Sequence, residues 1–187
     1  KPQYRLATIL YTDIVGFTSL CETLEPDEIA SLLNEYFALL SAIINQHGGI
    51  INQFQGDAML VTYNVPAMDE NHADNALLTA VEIQQTLSDH IFRSRFKMPT
   101  RIGINTGKVF AGIVGGQERL NYTVHGDAVN IAARLENLNK EYNTSILLSK
   151  ATRLLLGENI REKIHLTPMG KLNVRGKTND IRVFTAS

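Results

Sequence analysis

The chain has 187 residues, of which 44% are hydrophobic and 20% are charged, and its formal net charge is −1. This length suits one domain, because a single hydrophobic core usually serves about 100–200 residues, so we expect residues 1–187 to form one domain. The small net charge provides no bulk attraction for a polyanion, and no nucleic-acid partner is expected. The single cysteine, Cys21, excludes an internal disulfide framework and favours a reducing, cytoplasmic compartment.

The sequence shows no targeting or membrane segment. No apolar run approaches the ~20 residues that a membrane-spanning helix requires, and the first residues, KPQYRLATILYTD, lack a basic-then-apolar leader. The way the chain begins is typical of a fragment. We therefore expect an upstream regulatory region in a longer protein, which could be tethered to a membrane with this domain on the cytoplasmic side.

The first half of the chain predicts a strand, a helix and a hairpin. The segment RLATILYTDIV is apolar and β-branched, which predicts a buried strand from Arg5 to about Tyr11. A helix follows, with Pro26 and acidic residues in its first turn, and it ends at Gly48-Gly49. The stretch from Ile50 to Tyr63 alternates apolar residues around a Gly-Asp turn, which predicts a hairpin.

The second half alternates further helices and strands. NHADNALLTAVEIQQTLSDHI predicts an amphipathic helix, and TRIGINTGKVFAGIVGG predicts two strands that turn at Thr106-Gly107-Lys108. LNYTVHGDAVNIAARLENLNKEY predicts a strand that enters a helix at Gly126-Asp127, and shorter strands are expected near 145–148, 164–166 and 181–185, with a small helix near 152–156. The order predicts an α+β, ferredoxin-like βαββαβ sandwich with a C-terminal β/α extension, its helices on one sheet face and the site on the other.

Two aspartates stand out, because each ends a very apolar segment. Asp13 follows the first strand and Asp57 lies at the tip of the hairpin. Adjacent strand ends could bring them together, and like charges at close range require a cation between them. Oxygen ligands of this kind suit Mg²⁺, which typically binds to one or two carboxylates and to substrate phosphates. The alternative is that both are turn or cap residues.

Two other segments carry residues suited to a phosphorylated ligand. After Asp13, Gly16, Phe17 and Thr18 begin a helical stretch whose backbone N–H groups could bind phosphate oxygens. In GDAVNIAARLE, Asn130 and Arg134 are four residues apart and therefore share a face of a mostly apolar helix. Such a face indicates a surface that meets either a phosphorylated ligand or a second subunit.

Taken together, the motifs YTDIVGFTSL, FQGDAML, RIGINTGKVFAGIVGG and YTVHGDAVNIAARLE resemble the catalytic domain of class III nucleotide cyclases. The resemblance runs from about Arg5 to Phe184 with the motifs in the family's order and spacing, and Thr123 resembles the bacterial subtype that has threonine at this position. It implies an adenylate cyclase that forms 3′,5′-cyclic AMP and pyrophosphate from ATP.

The resemblance also implies a role for each matching residue. Asp13 and Asp57, with the carbonyl of Ile14, would bind two Mg²⁺ or Mn²⁺ ions per site, and Asn130 and Arg134 would act in catalysis. Gln53 and Thr123 would read the base. The triphosphate would be bound by Phe17, Thr18, Arg101 and Arg175, with Lys177 as the substitute for Arg175.

In this family the site lies between two catalytic domains, so the resemblance implies a head-to-tail homodimer with two shared sites.

Gln53 departs from the lysine that adenylyl cyclases usually have and from the glutamate that guanylyl cyclases usually have. A glutamine amide can both donate and accept hydrogen bonds, so GTP or mixed use is the main alternative to ATP. A non-catalytic nucleotide-binding or dimerisation module is a second alternative. An unrelated phosphate-binding or polymerase-palm-like domain would leave Asn130 and Arg134 without an explanation.

Overall fold

The structure, a computed structural model, describes residues 3–116, 119–173 and 180–187. The strands are β1 (Gln3–Ile14), β2 (Ile50–Gln55), β3 (Ala58–Tyr63), β4 (Thr100–Gly116), β5 (Arg119–His125), β6 (Ile146–Ser149), β7 (Leu166–Leu172) and β8 (Ile181–Ala186). The helices are α1 (Phe17–Cys21), α2 (Pro26–Gln46), α3 (His72–Asp89), α4 (Asp127–Tyr142), α5 (Lys150–Leu154) and α6 (Glu158–Lys163).

The described strands form one mixed sheet in the order β2-β3-β1-β4-β6-β8-β7, with β5 paired to β4. The pairs are antiparallel except for β4 and β6, which run parallel. The segment from β1 through α2, β2, β3 and α3 to β4 has the predicted βαββαβ order, and the later elements form the C-terminal extension. The predicted α+β fold class is confirmed.

The two faces of the sheet carry different helices. Along β1, Leu10 and Ile14 belong to the same buried cluster as residues of α2 and α3. The alternate residues Ala7 and Ile9 belong instead to a cluster that contains Ala128 and Ala132 of α4. The expectation that all helices cover one face is therefore wrong for α4, which covers part of the face where the site was expected.

The strand β4 is continuous, so the predicted turn at Thr106-Gly107-Lys108 is wrong. Backbone pairing with β1 runs from Thr100 to Ala111, and pairing with β5 continues from Phe110 to Gly116. Gly107 resembles a turn residue in the sequence, but a Cβ atom there would lie 2.9 Å from the methyl group of Ala128. The glycine thus makes room for α4 and does not reverse the chain.

The C-terminal extension differs in detail from the prediction. The helix α6 was not predicted, and β7 begins at Leu166 and extends to Leu172, beyond the strand expected near 164–166. Cys21 is partly buried. None of the helices in the described residues is both long enough and apolar enough to cross a bilayer.

Helix α4 packs directly on the backbone of β4 at Gly103. A Cβ atom at this position would lie 2.1 Å from the carbonyl oxygen of Ala132 and 2.3 Å from the amide nitrogen of Glu136. Neither backbone atom can move away without shifting the helix. The missing side chain at Gly103 therefore fixes the distance between α4 and the sheet.

We expect Gly103→Ala to lower the free energy of unfolding by about 1–3 kcal/mol, the usual effect of overpacking a core. The matched control is Gly107→Ala, whose new methyl group would come closest to the Ala128 methyl group, at 2.9 Å, and not to helix backbone, and should cost less. Urea denaturation of the two variants measures the difference. Equal midpoints for Gly103→Ala and the unsubstituted chain would contradict the direct packing of α4 on β4.

Candidate active site

Strands β1 and β3 bring the two predicted metal-binding aspartates together. The strands are antiparallel neighbours with Thr12 opposite Met59, so the end of β1 meets the turn that precedes β3. There the amide N–H of Ile14 donates a hydrogen bond to Oδ2 of Asp57 at 3.1 Å. The expectation that adjacent strand ends bring Asp13 and Asp57 together is confirmed.

The carboxyl group of Asp13 is electrostatically strained. Burial raises its pKa to about 7, and hydrogen bonding to Asp57 and repulsion by the Asp57 charge act in the same direction. The nearby Glu136 carboxylate raises this pKa further, whereas the Arg101 guanidinium lowers it. The site therefore disfavours a second negative charge unless a cation is added.

A divalent cation fits this donor set. Among the residues that the structure describes, no cluster of three or more His, Cys, Asp or Glu side chains could hold a metal ion by itself. Two neighbouring carboxylates with open positions are the arrangement Mg²⁺ uses when substrate phosphates complete its coordination. Asp13 and Asp57 fit that arrangement, and the carbonyl of Ile14 is a predicted further ligand.

Arg101, predicted to bind the triphosphate, lies beside these aspartates. Its Nε donates to Oε1 of Glu136 at 2.9 Å, and its Nη2 is 3.4 Å from Oδ2 of Asp13. The Arg101 and Glu136 side chains are only 11% and 8% exposed, so this ion pair is largely shielded from water. Burial raises the pKa of Glu136, and the hydrogen bond and charge of Arg101 oppose that effect.

Glu136 was not singled out in the sequence. It belongs to the buried side of α4, which also contains Ala128, Ala132, Leu135 and Asn139. A glutamate on an otherwise apolar or neutral helix face is a sequence signal, since a charge there needs a partner. What the sequence could not supply was the partner, Arg101, 35 positions earlier in the chain.

The loop after Asp13 has the predicted form. Gly16 adopts a positive φ of 70°, which favours glycine, and α1 begins at the next residue. Phe17 is buried against the core and Thr18 is exposed. The loop therefore places the start of α1, Phe17, four residues after Asp13, as the prediction of backbone phosphate donors at Phe17 and Thr18 requires.

The two predicted base-reading residues share a groove. Gln53 on β2 lies opposite Leu60 of β3, and Thr123 on β5 lies opposite Gly112 of β4. Both line a groove of about 760 Å³ on the sheet face that α4 also covers, together with Asn130 of α4. The exposed side chain of Gln55 also lines this groove, and its Oε1 accepts a hydrogen bond from the Tyr11 hydroxyl at 2.6 Å.

The predicted catalytic pair lies on the exposed side of α4. Asn130 and Arg134 are one helical turn apart, and both are exposed. Among the described residues that line the groove, Asn130 is included but neither Asp13 nor Asp57 is. In one chain, the predicted base-reading residues thus lie in a groove whose described lining does not include the paired carboxylates. Arg175 and its substitute Lys177 lie outside the described residues.

Paired carboxylates at strand ends, a polar groove and an exposed Asn-Arg helix on this α+β sheet define a nucleotide cyclase catalytic domain. Residues 1–186 match the family described as "Adenylate and Guanylate cyclase catalytic domain", and the chain belongs to this family.

Both named activities of the family occur among similar proteins. "Adenylate cyclase 1" of Rhizobium meliloti (strain 1021) is 35% identical over 181 residues, which cover 95% of this chain and 27% of that protein. The guanylyl cyclase Cya2 superposes with a TM-score of 0.87 at 31% identity, covering 98% of this chain and 92% of that one. The adenylyl cyclase CyaB from P. aeruginosa superposes with a TM-score of 0.84 at 28% identity, covering 100% and 96%. The chain thus spans about a quarter of the Rhizobium relative.

The strained carboxyl of Asp13 predicts a pH-dependent stability in the absence of divalent metal. Its pKa in the folded state, about 7, lies above the unfolded value of 3.8, so the folded state binds the extra proton. The stabilisation is therefore complete below about pH 4 and is lost as the pH rises through about 7. We expect Asp13→Asn to be more stable than the unsubstituted chain at pH 8 in EDTA and to lose this advantage at pH 4.

Thermal denaturation at the two pH values measures this effect, with exposed Glu70→Gln as the control for loss of a carboxylate. Adding Mg²⁺ at pH 8 should stabilise the unsubstituted chain and the control but not Asp13→Asn. An Asp13→Asn variant that is less stable than the control at pH 8 in EDTA would contradict the electrostatic strain.

Proposed function

We propose that this domain is a metal-dependent nucleotide cyclase that converts ATP to 3′,5′-cyclic AMP and pyrophosphate. The observation that carries the proposal is the meeting of Asp13 and Asp57 beside the largely buried side chain of Arg101. Two carboxylates and a guanidinium at one edge of the sheet are suited to a polyphosphate and its cations. A regulatory module without catalysis would not need this combination of groups.

Asp13 and Asp57, with the carbonyl of Ile14, would hold two Mg²⁺ or Mn²⁺ ions, which lower the pKa of the ribose 3′-hydroxyl and neutralise triphosphate charge. The 3′-oxygen would attack the α-phosphorus in line and expel pyrophosphate. In such a transfer the protein contributes mainly positioning and charge stabilisation.

The other residues would bind and orient the nucleotide. Arg134 would stabilise the negative charge that develops on the α-phosphoryl group, and Asn130 would orient the ribose. Arg101 and Arg175, with Lys177 as the substitute for Arg175, would hold the β- and γ-phosphates.

The start of α1 would complete phosphate binding through the backbone N–H groups of Phe17 and Thr18. Gly16 supports this role because its positive φ turns the chain into α1 directly after β1.

The division of the site within one chain supports a shared active site. The groove contains Gln53, Thr123 and Asn130, whereas the carboxylates lie outside its described lining. Two copies arranged head to tail would place the groove of one chain against the carboxylates of the other and complete two equivalent sites. The exposure of Asn130 and Arg134 on α4 fits residues that act across an interface.

The choice of base would depend on Gln53 and Thr123. The glutamine amide and the threonine hydroxyl can each donate and accept hydrogen bonds, so the two side chains could pair with either adenine or guanine. Thr123 and the 35% identity to a relative named adenylate cyclase support ATP. The amide of Gln53 favours GTP or mixed use as the second candidate, and the structural likeness to the guanylyl cyclase Cya2 supports it.

We further propose that this is one catalytic domain of a longer, regulated protein and that it works in the cytoplasm. The 27% coverage of the Rhizobium relative supports additional regions, and the unpaired Cys21 supports a reducing compartment.

A product assay with ATP and GTP in equal amounts and Mn²⁺ tests the reaction and the base preference together. We expect cyclic AMP to be the major product, with a smaller amount of cyclic GMP. An Asp57→Ala variant should form neither, because one metal carboxylate is lost. Absence of both cyclic nucleotides with the unsubstituted, folded chain would overturn the proposed activity, and a majority of cyclic GMP would reverse the base assignment.

Base reading is tested by substitutions at Gln53. Gln53→Lys should raise the ATP-to-GTP ratio of kcat/KM by about tenfold or more, because a lysine can only donate and leaves a guanine N1–H unpaired. Gln53→Glu should shift the ratio toward GTP by a similar factor. The matched control is Gln55→Lys, since Gln55 lines the same groove but is bound to Tyr11. Equal ratios for Gln53→Lys and Gln55→Lys would contradict the assignment of Gln53.

A further inference from the structure

Arg101 is held from one side by a residue that the proposed reaction does not use. Its bond to Glu136 is short, at 2.9 Å between Nε and Oε1, whereas its contact with Asp13 is long, at 3.4 Å between Nη2 and Oδ2. Asp13 is 30% exposed and Glu136 only 8%. The shorter and more buried partner is the stronger one, because a charge-assisted hydrogen bond gains strength as water is excluded.

The position of Glu136 is itself fixed by contacts between α4 and β4. The bare backbone of Gly103 contacts α4 at the Glu136 amide. One turn further, the buried amide Nδ2 of Asn139 donates to the carbonyl oxygen of Ile102 at 3.0 Å. The helix is therefore attached to the strand on both sides of Glu136, and β4 carries Arg101 next to Ile102. The Glu136 carboxylate and the Arg101 guanidinium belong to one rigid unit.

We propose that Glu136 is a positioning residue that fixes the guanidinium of Arg101 toward the pyrophosphate portion of a nucleoside triphosphate. This inference rests on the proposed function and adds a residue to it. By binding Nε, Glu136 leaves the terminal nitrogens of Arg101 available, and Nη2 already faces the Asp13 carboxylate. It also keeps Arg101 from closing fully onto Asp13, whose carboxylate then stays available to a cation.

Loss of the Glu136 charge should therefore weaken binding of the phosphates. Without Glu136, Arg101 would pair with Asp13 or sample several rotamers, and ordering it on the ligand would cost free energy. Hydrogen bonds to charged groups are among the stronger ones in proteins, so a loss of about tenfold or more in affinity is expected. A merely structural ion pair would change the stability of the fold and leave phosphate affinity unchanged.

The test measures binding of inorganic pyrophosphate and α,β-methylene-ATP by titration calorimetry in Mn²⁺. Glu136→Gln should weaken both by about tenfold, whereas Glu141→Gln, which removes an exposed carboxylate from the same helix, should leave both unchanged. In a double-mutant cycle, Arg101→Gln with Glu136→Gln should bind no more weakly than Arg101→Gln alone, because Glu136 acts through Arg101.

Unchanged or tighter binding by Glu136→Gln would overturn the proposal, as would additive losses in the cycle. If Glu136→Gln does not fold, Glu136→Asp serves instead. This variant keeps the negative charge, but its side chain is one methylene shorter, so the carboxylate lies farther from Arg101. It should bind pyrophosphate more weakly than Glu141→Asp, and equal affinities would again overturn the proposal. The protein does not turn over either ligand, so their binding can be measured even if the chain forms no cyclic product. A failure of the proposed cyclase activity can therefore be distinguished from a failure of the proposed role of Glu136.

Discussion

Two carboxylates held together at the edge of a buried sheet determine the rest of this site. Antiparallel pairing of β1 and β3 places Asp13 and Asp57 at neighbouring strand ends, and burial together with their mutual repulsion raises the pKa of Asp13 to about 7. Such a pair is unfavourable without positive charge. The fold supplies part of that charge through Arg101, and the remainder is the proposed role of two divalent cations and their nucleotide.

Helix α4 connects the parts of the site. Its buried side contacts β4 so closely that Gly103 must lack a side chain, and from that side Glu136 binds Arg101. Its exposed side carries Asn130 and Arg134. Under the proposed head-to-tail arrangement, one helix would therefore support the phosphate-binding arginine of its own chain and supply catalytic groups to the other chain. Close packing of α4 on β4 would keep Arg101 and the Asn130–Arg134 pair at fixed positions relative to each other.

Much of this could be read from the sequence, and the misses share one physical cause. Helical and alternating periodicity located α2, α3 and the β2–β3 hairpin, and the positions of Asp13 and Asp57 at the ends of apolar segments predicted that they could meet. The turn predicted at Gly107 was wrong because a glycine between polar residues favours a turn locally. In the structure this glycine instead leaves space for Ala128 of α4. The opposite-face placement of α4 and the Arg101–Glu136 pair also depend on contacts between distant segments, which local patterns do not contain.

Complementation between two inactive variants tests most directly the proposal that each active site is shared by two copies of the chain. Asp57→Ala and Arg134→Ala should each be inactive alone, because each breaks both sites of its homodimer. When the two are mixed and allowed to exchange subunits, about half of the dimers carry one intact site, so about a quarter of the unsubstituted activity should return. No recovery after demonstrated subunit exchange would contradict the shared site.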